Sequence, residues 1–234
     1  MTLYAGTTIV FDLDGTLVDT APDLTAALNH VLVHEGRPAL AQSEVRNLVG
    51  HGARALITRG MSLHGPIPSE PELQRMLQLF LRFYGDNIAN HSKLFPGVRE
   101  TMAHFRSGQA RLGVCTNKPT GLTHAVLAAL NMQQHFDAVL GSDSLSVRKP
   151  DPLHLLETIR QAGGDPARAV MIGDSATDID TAKAANIPVV AVSFGYTLTP
   201  VHELGADLVI DRFEALTEVL PRLLQLDPKG QSAL

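Results

Sequence analysis

Short apolar runs at residues 8–11, 111–115, 138–140, 169–172, 189–192 and 207–210 recur along the chain, separated for the most part by amphipathic segments with helical spacing. Runs this short and this uniformly apolar read as strands buried on both faces, and strands that alternate with helices pair in parallel. The pattern predicts an α/β fold with a doubly wound, mostly parallel sheet between layers of helices. The helix signals agree. Pro119 and Pro152 stand where first turns should begin, Asp151 is placed to cap a helix, and Gly163-Gly164 closes the helical stretch 153–161.

One interval breaks the alternation. Residues 19–91 contain no strand-like run, while 24–33, 45–57 and 73–84 carry helical spacing, with breaks at Gly36-Arg37-Pro38 and at His64-Gly65-Pro66-Ile67-Pro68. The inference is an all-helical subdomain inserted after the first strand, with Leu94-Phe95-Pro96-Gly97 marking the return. The expected division is an α/β core of residues 1–18 and 92–234 and a helical cap of residues 19–91.

The 234 residues are 44% hydrophobic, enough to bury a sizeable core. A net charge of −5 without a run of Lys or Arg argues against a nucleic-acid or membrane surface, because those rely on clustered basic residues. No stretch approaches the ~20 apolar residues of a membrane span. The opening residues Met1-Thr2-Leu3-Tyr4-Ala5-Gly6 carry no signal-like pattern, so a cytoplasmic protein is expected. The single cysteine, Cys115, lies inside an apolar strand run and reads as a core residue. The ten histidines show no close ligand pair, and zinc is not expected.

Ligands of open parallel sheets bind beyond the carboxyl ends of the strands. That rule gathers the polar residues of this chain into one place. Asp12 and Asp14 end the first strand, spaced so that both carboxylates project the same way; Thr116-Asn117 end the second; Gly173-Asp174 end the run at 169–172. Lys149, in Arg148-Lys149-Pro150-Asp151-Pro152, is held in a loop by prolines that forbid continuous helix. Like charges as close as Asp12 and Asp14 require a cation or a retained proton. Carboxylates and a backbone carbonyl make a hard oxygen site that suits Mg²⁺, and Mg²⁺ favours a phosphate as the bound group. No serine or cysteine lies beside an obvious base, so an aspartate is the candidate nucleophile.

Asp12-Leu13-Asp14-Gly15-Thr16, Thr116-Asn117, Lys149-Pro150 and Gly173-Asp174-Ser175-Ala176-Thr177-Asp178 resemble, in order and across nearly the whole chain, the four motifs of the haloacid dehalogenase superfamily. The resemblance implies a Rossmann-like core and a mobile cap. It implies Asp12 as nucleophile, and Asp14 as general acid for the leaving group and then base for water. By the same likeness Mg²⁺ is held by the Asp12 carboxylate, the Asp14 backbone carbonyl and the Asp174 carboxylate. Thr116 and Asn117 bind the transferring phosphoryl group, Lys149 offsets its charge and that of Asp12, and Asp178 orients Lys149 or a metal-bound water. Asp178 also fits the first turn of a helix on electrostatic grounds alone.

The segments Asp12 to Asp23, Val49-Gly50-His51-Gly52-Ala53-Arg54 and Thr116-Asn117-Lys118-Pro119 are most similar to bacterial phosphoglycolate phosphatases, which implies a small phosphorylated acid as substrate. Gly50-His51-Gly52 before a helix offers free N–H groups to an anion, and Arg54 can pair with a carboxylate; the alternative is a bend with Arg54 in solvent. Gly50 to Ala55 also matches a loose dinucleotide fingerprint, but no strand precedes it. The serious rivals are a phosphatase of another small or sugar phosphate and a sugar phosphomutase.

Overall fold

The computed structural model describes residues 3–225 apart from 47, 51 and 198. The strands β1 (Thr8–Phe11), β2 (Val18–Asp19), β3 (Lys93–Leu94), β4 (Arg111–Cys115), β5 (Ala138–Leu140), β6 (Ala169–Gly173), β7 (Val189–Val192) and β8 (Leu208–Ile210) fall into two sheets. The larger has the order β5-β4-β1-β6-β7-β8, and every pairing in it is parallel. β1 is central, with Thr8 in register with Arg111 of β4 and with Ala169 of β6.

Alternation within the strands sorts the side chains onto two faces. Ile9, Phe11, Leu112, Val114, Val170, Ile172, Val190 and Val192 join one apolar cluster with residues of α5 (Val98–Ser107), α6 (Thr120–Ala129) and α9 (Leu216–Leu223). Their neighbours Val10, Cys115, Met171, Val189 and Ala191 join a second cluster with α7 (Pro152–Gln161) and α8 (Ala176–Ala184). Each large apolar side chain buried this way stabilises the fold by about 1.5–3 kcal/mol, which is why successive positions of the runs are apolar and not only alternate ones. Burial pushes the Cys115 thiol up to about 12, so it is a core group and not a nucleophile.

Between β2 and β3 the chain forms α1 (Ala21–His34), α2 (Gln42–Arg46), α3 (Ala53–Ser62) and α4 (Glu70–Asp86). These helices share an apolar cluster of their own, including Leu24, Leu28, Val31, Ile57, Met76 and Phe80. Leu24, Ala27, Leu28, Val31 and Leu32 of α1 are buried at the i, i+3, i+4, i+7, i+8 positions of one helix face. A capping box starts α4, where the Glu72 carboxylate accepts from the Ser69 N–H at 2.7 Å. Among the described residues no helix is long and apolar enough to cross a membrane.

Three local expectations need correction. The stretch 45–57 is not one helix: α2 ends at Arg46 and α3 begins at Ala53, because Gly50 and Gly52 take φ of +107° and +85°, outside the helical region. The strand expected at 207–210 begins at Leu208, and the Asp207 carboxylate turns back to accept from the Val189 N–H at 2.7 Å. The ribbon of β2 and β3 has no counterpart in the sequence reading. It pairs Val18 with Leu94 and Asp19 with Lys93, so the two chain crossings into and out of the helical segment lie side by side. Buried Asp23 fastens the same junction, accepting from the N–H groups of His91 and Ser92 and from the Ser92 hydroxyl.

Candidate active site

β1 extends its ladder by one bond, from the Asp12 N–H to the Ile172 carbonyl at 2.9 Å, and so delivers Asp12 to the carboxyl edge of the sheet. A tight turn follows, in which the Leu13 carbonyl accepts from the N–H groups of Leu17 and Val18. Gly15 is obligatory there. Its φ is +88°, and a Cβ would stand 2.4 Å from Asp174 Oδ2. Asp174 arrives from the end of β6, where Oδ1 accepts from the Thr16 hydroxyl at 3.0 Å and Oδ2 from the Tyr196 N–H at 2.6 Å. Asp12 is 7% exposed, Asp174 2% and Asp178 none.

Lys149 is 3% exposed and reaches this cluster from the loop before α7, a helix that Asp151 caps by accepting from the Leu153 N–H at 2.9 Å. Its Nζ lies 3.0 Å from Asp12 Oδ1 and 2.6 Å from Asp178 Oδ1. Burial opposes its charge, but the two carboxylates more than offset this and raise its pKa. Asp178 Oδ2 is taken up by the N–H groups of Asp174 and Ser175 and by the Ser175 hydroxyl. Both Asp178 oxygens are thus committed, which fits it to holding Lys149.

The oxygens of Asp12, Asp174 and Asp178 can all lie within 4.8 Å of one another. Three buried carboxylates face one ammonium. Burial pushes Asp12 up to about 6, with Lys149 opposing and Asp178 and Asp14 adding to the rise; Asp174 is raised well above the usual range by burial and by Asp178 and Asp12. Excess buried negative charge on hard oxygen donors fits a divalent cation, which would relieve it.

Thr116 and Asn117 follow β4. Thr116 is buried, its hydroxyl accepts from the Lys118 N–H at 3.3 Å, and the Asn117 amide donates to the Lys149 carbonyl at 3.0 Å. Asn117 Oδ1 is buried without a hydrogen-bond partner among the described residues. Asp12, Asp14, Thr116 and Asn117 line one pocket of about 50 Å³, closed on the other side by Leu24, Gly52, Phe80 and Tyr84 of the helical segment.

The chain matches the model of the haloacid dehalogenase-like hydrolases over residues 9–192. It belongs to that family. Phosphoglycolate phosphatases of Mesorhizobium japonicum and Caulobacter vibrioides are 50% and 45% identical to it, over 93% and 98% of this chain and 96% and 97% of theirs. A crystal structure described as a predicted phosphoglycolate phosphatase from Haemophilus somnus superposes with a TM-score of 0.86 at 31% identity, covering 94% of this chain and 99% of that one. With these relatives, this haloacid dehalogenase-like hydrolase is an enzyme of the phosphatase kind.

The structure brings Asp12, Asp14, Thr116, Asn117, Lys149, Asp174 and Asp178 to one sheet edge, as the topology rule requires. It does not bring Arg54 there: the guanidinium pairs with Glu70 on the exposed rim, and Arg54 does not line the pocket. His51 lies outside the described residues. The sequence reading missed Lys118. Each of the two carboxylates has its own lysine: Lys149 serves Asp12, and the Lys118 Nζ donates to Asp14 Oδ1 and Oδ2 at 3.0 and 3.1 Å. Thr16 and Tyr196, which hold Asp174, were missed as well. Lys118 and Tyr196 both follow the ends of sheet strands, so the rule that located Thr116 covers them.

Proposed function

We propose that this hydrolase is a Mg²⁺-dependent phosphatase that converts 2-phosphoglycolate to glycolate and phosphate through an aspartyl-phosphate on Asp12. The observation that carries the reading is buried Asp12, paired with Lys149, sharing one pocket with Thr116 and Asn117, in a chain 50% identical to a phosphoglycolate phosphatase. Asp12 Oδ1 is engaged by the Leu13 N–H and Lys149, which leaves Oδ2 to attack phosphorus as the bond to the glycolate oxygen breaks. Asp14 delivers the proton that the departing oxygen needs. The same carboxylate then takes a proton from water, whose oxygen attacks phosphorus and frees Asp12 as the carboxylate. Thr116 and Asn117 hold the phosphoryl oxygens, and Lys149 balances their charge.

Mg²⁺, held by Asp12, Asp174 and the Asp14 backbone carbonyl, would supply charge neutralisation at the phosphoryl group. Residues 19–91 serve as the cap and residues 1–18 and 92–234 as the core, with the cap excluding water during the transfer. A cytoplasmic setting suits the unpaired, buried Cys115.

The test is phosphate release with Mg²⁺ over a panel of 2-phosphoglycolate, sugar phosphates and other small phosphomonoesters. A kcat/KM at least about tenfold higher for 2-phosphoglycolate is expected, because a dedicated contact to the carboxylate is worth that much. A preference for sugar phosphates would overturn the substrate assignment, and transfer to a sugar hydroxyl in place of hydrolysis would overturn the reaction.

A further inference from the structure

We infer that Lys118 of the core and Tyr84 of α4 form the subsite for the carboxylate of the substrate, a role that the sequence pattern suggested for Arg54. The inference rests on the reading of 2-phosphoglycolate as substrate. In that molecule the carboxylate carbon is two bonds from the ester oxygen, so the group that binds the carboxylate has to adjoin the group that protonates that oxygen. Lys118 meets this condition through its two contacts with Asp14.

Lys118 is 6% exposed, and among the described residues it is the only lysine or arginine lining the pocket. Burial opposes its charge, but Asp14 and, after it, the Tyr84 oxygen more than offset this, so the ammonium persists in the apolar setting. Its Nζ stands 4.5 Å from the centre of the Tyr84 ring, a cation–π contact that joins core to cap. Tyr84 lines the same pocket, and its buried hydroxyl, beside the Lys118 ammonium, donates to no acceptor among the described residues. A buried donor left without an acceptor costs stability, and a carboxylate on the ligand supplies the missing acceptor. An ammonium carries three donors, so Lys118 can meet a second carboxylate while it holds Asp14. Lys118 and Tyr84 come from opposite sides of the pocket, so an acidic substrate draws the cap and core together.

The experiment compares 2-phosphoglycolate with 2-hydroxyethyl phosphate, which replaces the carboxylate by CH₂OH, in the Mg²⁺-loaded wild type, Lys118→Met and Tyr84→Phe. Lys118→Met should lower the ratio of kcat/KM for the two substrates about tenfold or more, with the larger part in KM. Tyr84→Phe removes one oxygen and keeps the packing, so its fold is secure; it should lower the same ratio by about threefold to tenfold. A wild type that favours 2-phosphoglycolate while both variants keep its ratio overturns the subsite and leaves the substrate assignment standing. Equal losses on both substrates in Lys118→Met, with an unchanged ratio in Tyr84→Phe, would make Lys118 a positioning residue for Asp14 and also overturn the subsite. A wild type indifferent to the two substrates overturns the substrate assignment itself.

Discussion

Nζ of Lys149 lies 2.6 Å from Oδ1 of Asp178, and the other oxygen of that carboxylate caps the helix on which Asp178 stands. The charge that suits the first turn of α8 therefore also fixes the lysine beside Asp12. The two readings of Asp178, helix electrostatics and service to the site, describe a single arrangement. The N–H groups of Asp174 and Ser175 orient the carboxylate, and the carboxylate orients the ammonium.

Removing Asp178 is expected to damage the fold and the chemistry together. Asp178→Ala leaves Lys149 with one buried partner and the cap N–H groups with none, a loss of about 3–5 kcal/mol. Asp178→Asn keeps an acceptor for the cap and should cost less, yet turnover should still fall by about 10–100-fold as Lys149 loses its orientation. Urea denaturation and steady-state kinetics on both variants test this. Wild-type stability in Asp178→Ala would show that the pair is not the anchor its geometry indicates.

For Asp12 the expected effects have opposite signs. Asp12→Asn should abolish turnover, because an amide cannot form the acyl-phosphate. The same change should stabilise the metal-free protein at pH 7.5 by about 1–3 kcal/mol, because a carboxyl pushed up to about 6 is destabilising when ionised in the fold. Near-wild-type turnover would remove Asp12 as nucleophile. A fall in metal-free stability would show that its ion pair with Lys149 outweighs its burial and the repulsion from Asp178 and Asp14.

The sheet was legible in the sequence because its strands are buried on both faces, and burial leaves a continuous apolar mark at 8–11, 111–115 and 169–172. The site was legible for a related reason: strand ends position it, so Asp12, Thr116 and Asp174 are found once the strands are. What was missed depends on contacts distant in sequence. β2 and β3 are two residues each, too short for a period, and they meet 76 residues apart at Val18 and Leu94. Lys118 gains its meaning only when Asp14 and Tyr84 are brought to it. Arg54 follows two glycines in a pattern that invites an anion, but α3 sets its guanidinium toward Glu70.

Metal dependence should follow from the uncompensated carboxylates. Excess chelator is expected to silence the enzyme, and Mg²⁺ to restore it. Asp174→Ala should raise the Mg²⁺ needed for half-maximal activity by about 10–100-fold, because a ligand is lost and the bonds from Thr16 and Tyr196 that oriented it lose their acceptor. Mg²⁺ should also raise the melting temperature of the wild type more than that of Asp174→Ala. Full activity in chelator would end the proposal of a metal, whatever the melting data show.

The last expectation concerns acid stability and a residue outside the chemistry. His154, in the first turn of α7, is fully buried, and its Nδ1 accepts from the Lys149 N–H at 3.2 Å. Burial first, and then the positive charge of Lys149, push its pKa down to about 4, opposed by the Gly141 backbone and, more weakly, by Asp151. A histidine depressed in the fold contributes stability that is fully present above its unfolded value near 6.5 and is lost as pH falls toward 4. The contribution is about 1–3 kcal/mol. Asp12 titrates in the same window with the opposite sign, so the wild-type curve alone does not isolate His154. The difference between wild type and His154→Asn does, since asparagine keeps an acceptor for the Lys149 N–H and does not titrate. Urea midpoints from pH 8 to pH 4.5 should converge on acidification, with the wild type losing more than the variant. Parallel curves would mean that His154 is hydrated or already protonated in the fold, and that the loop carrying Lys149 opens before acid reaches it.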